Sequence, residues 1–286
     1  MAAGNWKMKT RRNDSDEHRR KLNEYLLRQN AKMQKKLQDF IDKALFRGDS
    51  INDIEKEIKR LSSDILRSID NAIYFAVVLA SGYMNDIGDS YIKSAAAVRG
   101  KAYSNELHES WNNNVQDSVR AYVWDKEYPD GKTLNDRTQR LAIVAALTVL
   151  NASNNSKYAN LPLKELQGKI AIDMQNVGKA IFRVVSNSSS NAYHATTAEM
   201  ASRMSFVEGV RIKRAVYGKG SSDCMICEEH GGSVGGEGKT YFKDEFGGRS
   251  TDLWLMANAP SYHPHCNCGV TFMMMPISEW VFGGVK

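Results

Sequence analysis

Ile51-Asn52-Asp53-Ile54-Glu55-Lys56-Glu57-Ile58-Lys59-Arg60-Leu61, continued by Ile65, Leu66 and Ile69, sets the period that decides the fold of this chain. Apolar residues return every three or four positions with charges between them, which is the pattern of an amphipathic helix. The stretch runs on into the uniformly apolar Ala72–Ala80, so its later turns are expected to be deeply buried. Upstream, Leu22, Leu26, Met33, Leu37, Ile41 and Leu45 repeat the pattern, predicting a helix over 14–47. Gly48 ends that helix, and Asp49-Ser50 offers the cap of the next. Downstream, helices are predicted over Ser94–Val123, Thr138–Ala152, Leu163–Ser186 and Ala192–Met204. The turn-rich Tyr128-Pro129-Asp130-Gly131 and the polar 151–162 separate them. Ser186–Asn191 reads either as a break or as a polar stretch within one helix whose partner supplies the packing.

Past Gly209 the pattern changes. Val210–Tyr217 alternates as a strand does, and Tyr241-Phe242 and Val270–Met274 are two further short strands. Between them Gly218, Gly220, Gly231, Gly232, Gly235, Gly236 and Gly238 make a turn-rich module. The expected fold is therefore mostly α: an extended helical N-terminal region of about 205 residues with a small C-terminal α+β module that contains the cysteines.

With 286 residues, 42% hydrophobic and 25% charged, the chain has the composition of a globular protein able to bury a real core in two domains. Its longest apolar runs, Ala72–Ala80 and Leu141–Leu150, are about half a membrane span, so no transmembrane segment is expected. The net charge of +6 is unevenly spread. Residues 1–47 hold 13 Lys and Arg against 6 Asp and Glu, whereas 48–205 are balanced and 206–286 hold 8 against 9. The densest part of this basic arm is Lys7, Lys9, Arg11, Arg12, Arg19, Arg20 and Lys21. Such an arm suits a phosphate backbone or an acidic protein surface, or it is simply a solvated tail. Beyond Trp6 and Tyr25 it has few aromatics, so any nucleic-acid contact would be nonspecific.

All four cysteines fall late, in Cys224-Met225-Ile226-Cys227 and in His263-Pro264-His265-Cys266-Asn267-Cys268. A Cys-x-x-Cys turn curls two sulfurs to one side, and the second group adds two thiols and two imidazoles within six residues. One reading is a tetrahedral Zn²⁺ site closing a loop of roughly 35–40 residues. The other is disulfides or free thiols. Met1–Lys7 has no apolar core after its charges, so no secretory signal is expected, and a reducing cytosol disfavours disulfides. The simplest ligand set is Cys224, Cys227, Cys266 and Cys268; the runner-up puts His263 in place of one thiolate, and His230 and His265 are further donors. A complete set of four leaves no place for water, so the zinc would be structural.

The end of the chain resembles the Mu F-like family of phage minor head proteins. The resemblance rests on Thr197-Ala198-Glu199 in a helix, the strand Val210–Tyr217, Asp223 before Cys224 and Cys227, Gly231-Gly232, and Pro260 through His263-Pro264-His265-Cys266-Asn267-Cys268. His265 and Asn267 stand where the family often carries Asn and Arg. The resemblance covers roughly 180–275 and divides the chain into a basic arm and helical region, 1–180, and a Mu F-like C-terminal module, 181–286. It implies a non-enzymatic virion component in the head interior or at the portal vertex, made in the host cytoplasm. Such a protein acts in head assembly, DNA packaging or genome delivery. Its implied partners are the portal or other head proteins, in an oligomeric setting, and packaged DNA through the arm.

Two other functions fit parts of the sequence. A zinc-module DNA-binding regulator would need a basic recognition helix, but the cysteine module is mildly acidic and far from the basic arm. A zinc-dependent nuclease would draw on Asp223, Glu228 and Glu229 as acid or base. It needs an open metal position, and the chain contains no His-Glu-x-x-His helix. His194 and Glu199, five apart on a helix, point about 140° from each other and are expected to be satisfied or solvated polar groups.

Overall fold

In the computed structural model the described residues are 12–46, 51–99, 109, 111–127, 131–213, 225, 228–229, 232–233, 237–242, 269–277 and 279. Five helices and three strands occur among them: α1 (Arg12–Phe46), α2 (Ile51–Arg99), α3 (Val115–Asp125), α4 (Leu134–Ser153), α5 (Leu163–Arg203), β1 (Val207–Lys213), β2 (Lys239–Phe242) and β3 (Gly269–Met274). The protein is mostly helical with a small antiparallel sheet near its C-terminus, as the sequence predicts.

The centre of the body is α2. Ile65, Ile69, Ala72, Ala76, Ala80 and Met84 are fully buried at steps of three and four, so one stripe of the helix faces the core for its whole length. The alanines keep that stripe narrow and let neighbouring helices approach. α1 folds back along α2 as an antiparallel hairpin. Its register is fixed by His18 against Tyr83, Tyr25 stacked on Phe75 at 4.1 Å, and Lys36 bonded to Asp64 at 2.5 Å. α5 closes the core from the other side, contributing Ile170, Met174, Val177, Ile181 and Val185. Over Glu55–Ala95, α2 is long and apolar enough to cross a membrane by length and composition, which the separate short runs did not suggest. Of that stretch's most apolar window, 44% is buried, and its buried stripe is the packing surface of the body.

The expected helix over Ser94–Val123 is corrected. Helix is present to Arg99, at 109 and at 111–112, but it is interrupted by a turn at Asn113-Asn114, where Asn114 takes a left-handed conformation at φ +56°, and α3 begins at Val115. The run Asn112-Asn113-Asn114 explains the break, because Asn tolerates that conformation better than other residues with a side chain. Ser186–Asn191 takes the second of its two readings, since α5 runs through it without interruption. Ser188 donates to the Val184 carbonyl, Ser189 to that of Ser186 and Thr196 to that of Ala192, at 2.7–2.8 Å. Hydroxyls satisfied within their own helix can be buried without penalty. Residue 180, the division expected from sequence, lies inside this helix. α4 starts at a capping box, with Thr133 and Asp136 bonding reciprocally; the hydrogen bonds from Thr133 lower the Asp136 pKa.

The sheet has the order β2-β1-β3, antiparallel throughout. β1 starts three residues earlier than predicted, and a bulge at Glu208 shifts its register against β3 between Val207 and Gly209. Tyr241, Val270 and Phe272 pack on Ala198 of α5. A second seam joins the end of β3 to the body. Tyr91 donates to the Met275 carbonyl at 2.7 Å and stacks on Phe206, whose ring edge meets Trp111. Gly88 makes room there, since a Cβ would lie 2.4 Å from the Trp111 ring.

Candidate functional site

The segment carrying Cys224 and Cys227 leaves and re-enters the described structure at one end of the sheet, and the segment carrying Cys266 and Cys268 re-enters at that same end after leaving from the other, where Phe242 pairs with Gly209. β1 is the central strand. Its last residue, Lys213, pairs with Gly269, the first residue of β3, and Ile212 pairs with both Val270 and Lys239, the first residue of β2. The 214–238 connection thus departs from and returns to that end, and Gly269 is the covalent neighbour of Cys268. A helical turn at 228–229 is tied to the same place, with Lys239 Nζ donating to the Glu229 carbonyl at 2.5 Å and Gly232 N to that of Glu228 at 2.9 Å. Strands lie about 4.8 Å apart, so the starts of β2 and β3 are separated by roughly 10 Å across β1.

Cys224, Cys227, Cys266, Cys268 and His263, with His230, His265 and Asp223, lie outside the described residues. Among the described residues no group of three His, Cys, Asp or Glu side chains comes together as a metal would require. Glu228 and Glu229 are both exposed at the sheet end.

The Thr197-Ala198-Glu199 element has a structural role in this geometry. Thr197 donates to the His194 carbonyl at 2.9 Å, Ala198 is the contact for the sheet, and the buried Glu199 pairs with Arg203. Arg203 also donates to the Asn113 carbonyl, tying the end of α5 to the entry of α3. His194 meets the ring of Tyr193 edge-on.

Burial raises the Tyr91 pKa to about 12, with help from the charges of Glu208 and Glu279. Burial also raises that of Tyr241, beside Glu229. Both are the neutral, hydrogen-bonding form of tyrosine at ordinary pH.

Of the predicted basic residues, Lys7, Lys9 and Arg11 lie outside the described residues, and Arg12 and Arg19 belong to α1. Arg20 and Lys21 are each held by an acid one turn away, Glu24 at 3.1 Å and Glu17 at 2.9 Å. Later turns of α1 carry cations counted in the basic excess of 1–47 but outside its densest part: Arg28, Lys32 and Lys35, all exposed. The signal for them was available, because no Asp or Glu occurs between Glu24 and Asp39.

No protein-family model matches this chain, and neither a curated protein nor a solved structure matches it.

Proposed function

We propose that this chain is a Mu F-like minor head protein, a non-enzymatic phage virion component that acts near the portal in head assembly, DNA packaging or genome delivery. The reading is carried by the Cys-x-x-Cys and His-Pro-x-Cys-x-Cys pair of motifs in the resembling segment. It is supported by the strand order, in which both flanks of the first motif and the downstream flank of the second, Lys213, Lys239 and Gly269, meet at one end of a single sheet. In this reading Cys224, Cys227, Cys266 and Cys268, or three of them with His263, hold one structural Zn²⁺. The metal supplies the cohesion that three short strands lack by themselves. The basic arm, Lys7 to Lys21, docks on the portal or on packaged DNA, in the head interior or at the portal vertex.

A mass-spectrometric inventory of purified particles tests the assignment. A few copies per particle is the expected result, and absence from particles overturns it. The zinc is tested separately on purified protein: one equivalent should survive mild chelation. Cys227→Ser should release it and unfold the sheet region while most helical signal persists. Metal-dependent cleavage of plasmid DNA would replace this reading with the nuclease.

A further inference from the structure

We propose that the outer face of the α1–α2 hairpin, centred on Arg28, Lys32, Lys35 and Arg67, is a docking surface for the phosphate backbone of double-stranded DNA. Its α1 cations lie beyond Lys7–Lys21, the densest part of the basic arm, and it stands independently of the head-protein reading. Arg28, Lys32 and Lys35 follow one another by four and three residues, so they share the exposed side of α1, opposite Leu26, Met33 and Leu37 in the core. They form a straight row about 10 Å long, parallel to the helix axis. The hairpin register that joins Lys36 to Asp64 and Tyr25 to Phe75 sets Arg67 level with Met33. Arg67 lies three residues beyond Asp64, on the α1 side of α2, and is itself exposed. With helix axes 8–10 Å apart, the four cations occupy a patch roughly 10 Å on a side.

What marks this patch is how local acids are distributed. Asp64 is bonded to Lys36 and Asp70 to Arg120, while Glu24 and Glu17 are held by Arg20 and Lys21. Asp42 accepts from Gln38 and Gln167. Asp39 closes the row at its C-terminal end, four residues past Lys35 and not ion-paired with it. Among the described residues no ion pair forms to Arg28, Lys32, Lys35 or Arg67; Arg28, Lys35 and Arg67 each have an acid three or four residues away on their own helix, and Lys32 has none. The surface therefore presents about four uncompensated charges on a rigid element. A linear polyanion is the complementary partner, and about 10 Å of duplex axis offers some six phosphate charges. Tyr25 is stacked on Phe75 and is not available to a base, so the contact reads charge and not sequence.

The experiment measures affinity of the full chain for two 30-base-pair duplexes of unrelated sequence between 50 and 200 mM salt. Arg28→Gln, Lys32→Gln and Lys35→Gln are combined in one variant, Gln being a good helix former. The expected result is equal wild-type binding to both duplexes. In the variant, affinity at 0.1 M salt falls by about a hundredfold or more, and the salt slope drops by about 3. A matched variant removes the same charge at exposed positions on other elements through Arg140→Gln, Lys157→Gln and Lys169→Gln, and is expected to bind nearly as wild type. Circular dichroism confirms that both variants keep their helices. Equal loss in the two variants, no loss in the first, or no binding by wild type overturns the proposal. So does competition by poly-glutamate as effective as competition by DNA, which makes the partner an acidic protein. None of these outcomes touches the particle inventory, which judges the head-protein reading by itself.

Discussion

The helical body and the three-stranded sheet at its C-terminal end hold themselves together differently. The body buries about forty apolar side chains in one continuous cluster that links all five helices. The sheet has six residues in its longest edge strand and four in the other; Tyr241, Val270 and Phe272 gather on Ala198, and Val207, Phe272 and Met274 join the body's cluster beside the seam. Three short strands are near the lower limit of independent stability, so this lobe depends on what it is fastened to. Two fasteners are visible, the Ala198 contact and the seam of Tyr91, Phe206, Trp111 and Met275. The cysteines, in the proposed reading, are the third. The comparison teaches that, among the described residues, the region next to the cysteines has the smaller core of its own.

The largest effect expected from breaking this contrast is in the body. Ile69→Ala empties a fully buried site on α2 and should cost about 2–5 kcal/mol, measured by chemical denaturation followed through helical signal. Since the lobe is fastened to α2 and α5, it should be lost in the same transition. A sheet that survives with a melted body would make it an independent unit.

Gly209→Ala acts in the opposite direction. Its Cβ would lie 2.3 Å from the Tyr241 carbonyl oxygen, a backbone atom with no rotamer to yield. A cost of about 1–3 kcal/mol is expected, confined to the β1–β2 pairing. Amide exchange should quicken in β1 and β2 and stay unchanged in α2; equal quickening in both would erase the distinction between the regions.

The smallest effect is at the seam. Tyr91→Phe removes the hydrogen bond to Met275 and keeps the ring stacked, costing about 1 kcal/mol, with β3 exchange as the sensitive readout. The same tether gives an alkaline dependence. Folding raises the Tyr91 pKa from the ordinary 10.0 to about 12, so the folded state holds this proton more tightly. That part of the stability is present below pH 10 and is lost as pH rises toward 12. The lobe should loosen in this window, and Tyr91→Phe should flatten that loss. A variant with an unchanged alkaline profile would remove Tyr91 from the seam's pH response.

Most of the helical layout was legible because each helix carries its own period. α1 matches its predicted stretch through residues that alternate between core and water, and α2 does so to Ala80 but continues to Arg99, taking in 94–99 of the next expected helix. The three strands were recognised as well, though β1 begins at Val207. The failure over Ser94–Val123 has a local cause: apolar spacing on either side of Asn112–Asn114 is helical, and it does not report the backbone flip at Asn114. The cationic face was missed for another reason. Arg28, Lys32 and Lys35 resemble any solvated helix face until one knows which acids nearby already have partners.

The sequence alone determined which segments are helical, which are strands, and that the thiols and the basic excess lie at opposite ends of the chain, because these follow from short-range periodicity and composition. Only the tertiary structure decided that α5 is unbroken through Ser186–Asn191, that the sheet is ordered β2-β1-β3 so the starts of β2 and β3 meet the end of β1, and that Asp64 and Asp70 are taken by Lys36 and Arg120. Those facts depend on pairings between residues far apart in sequence, and a long-range pairing is an energy shared by two segments that neither encodes by itself.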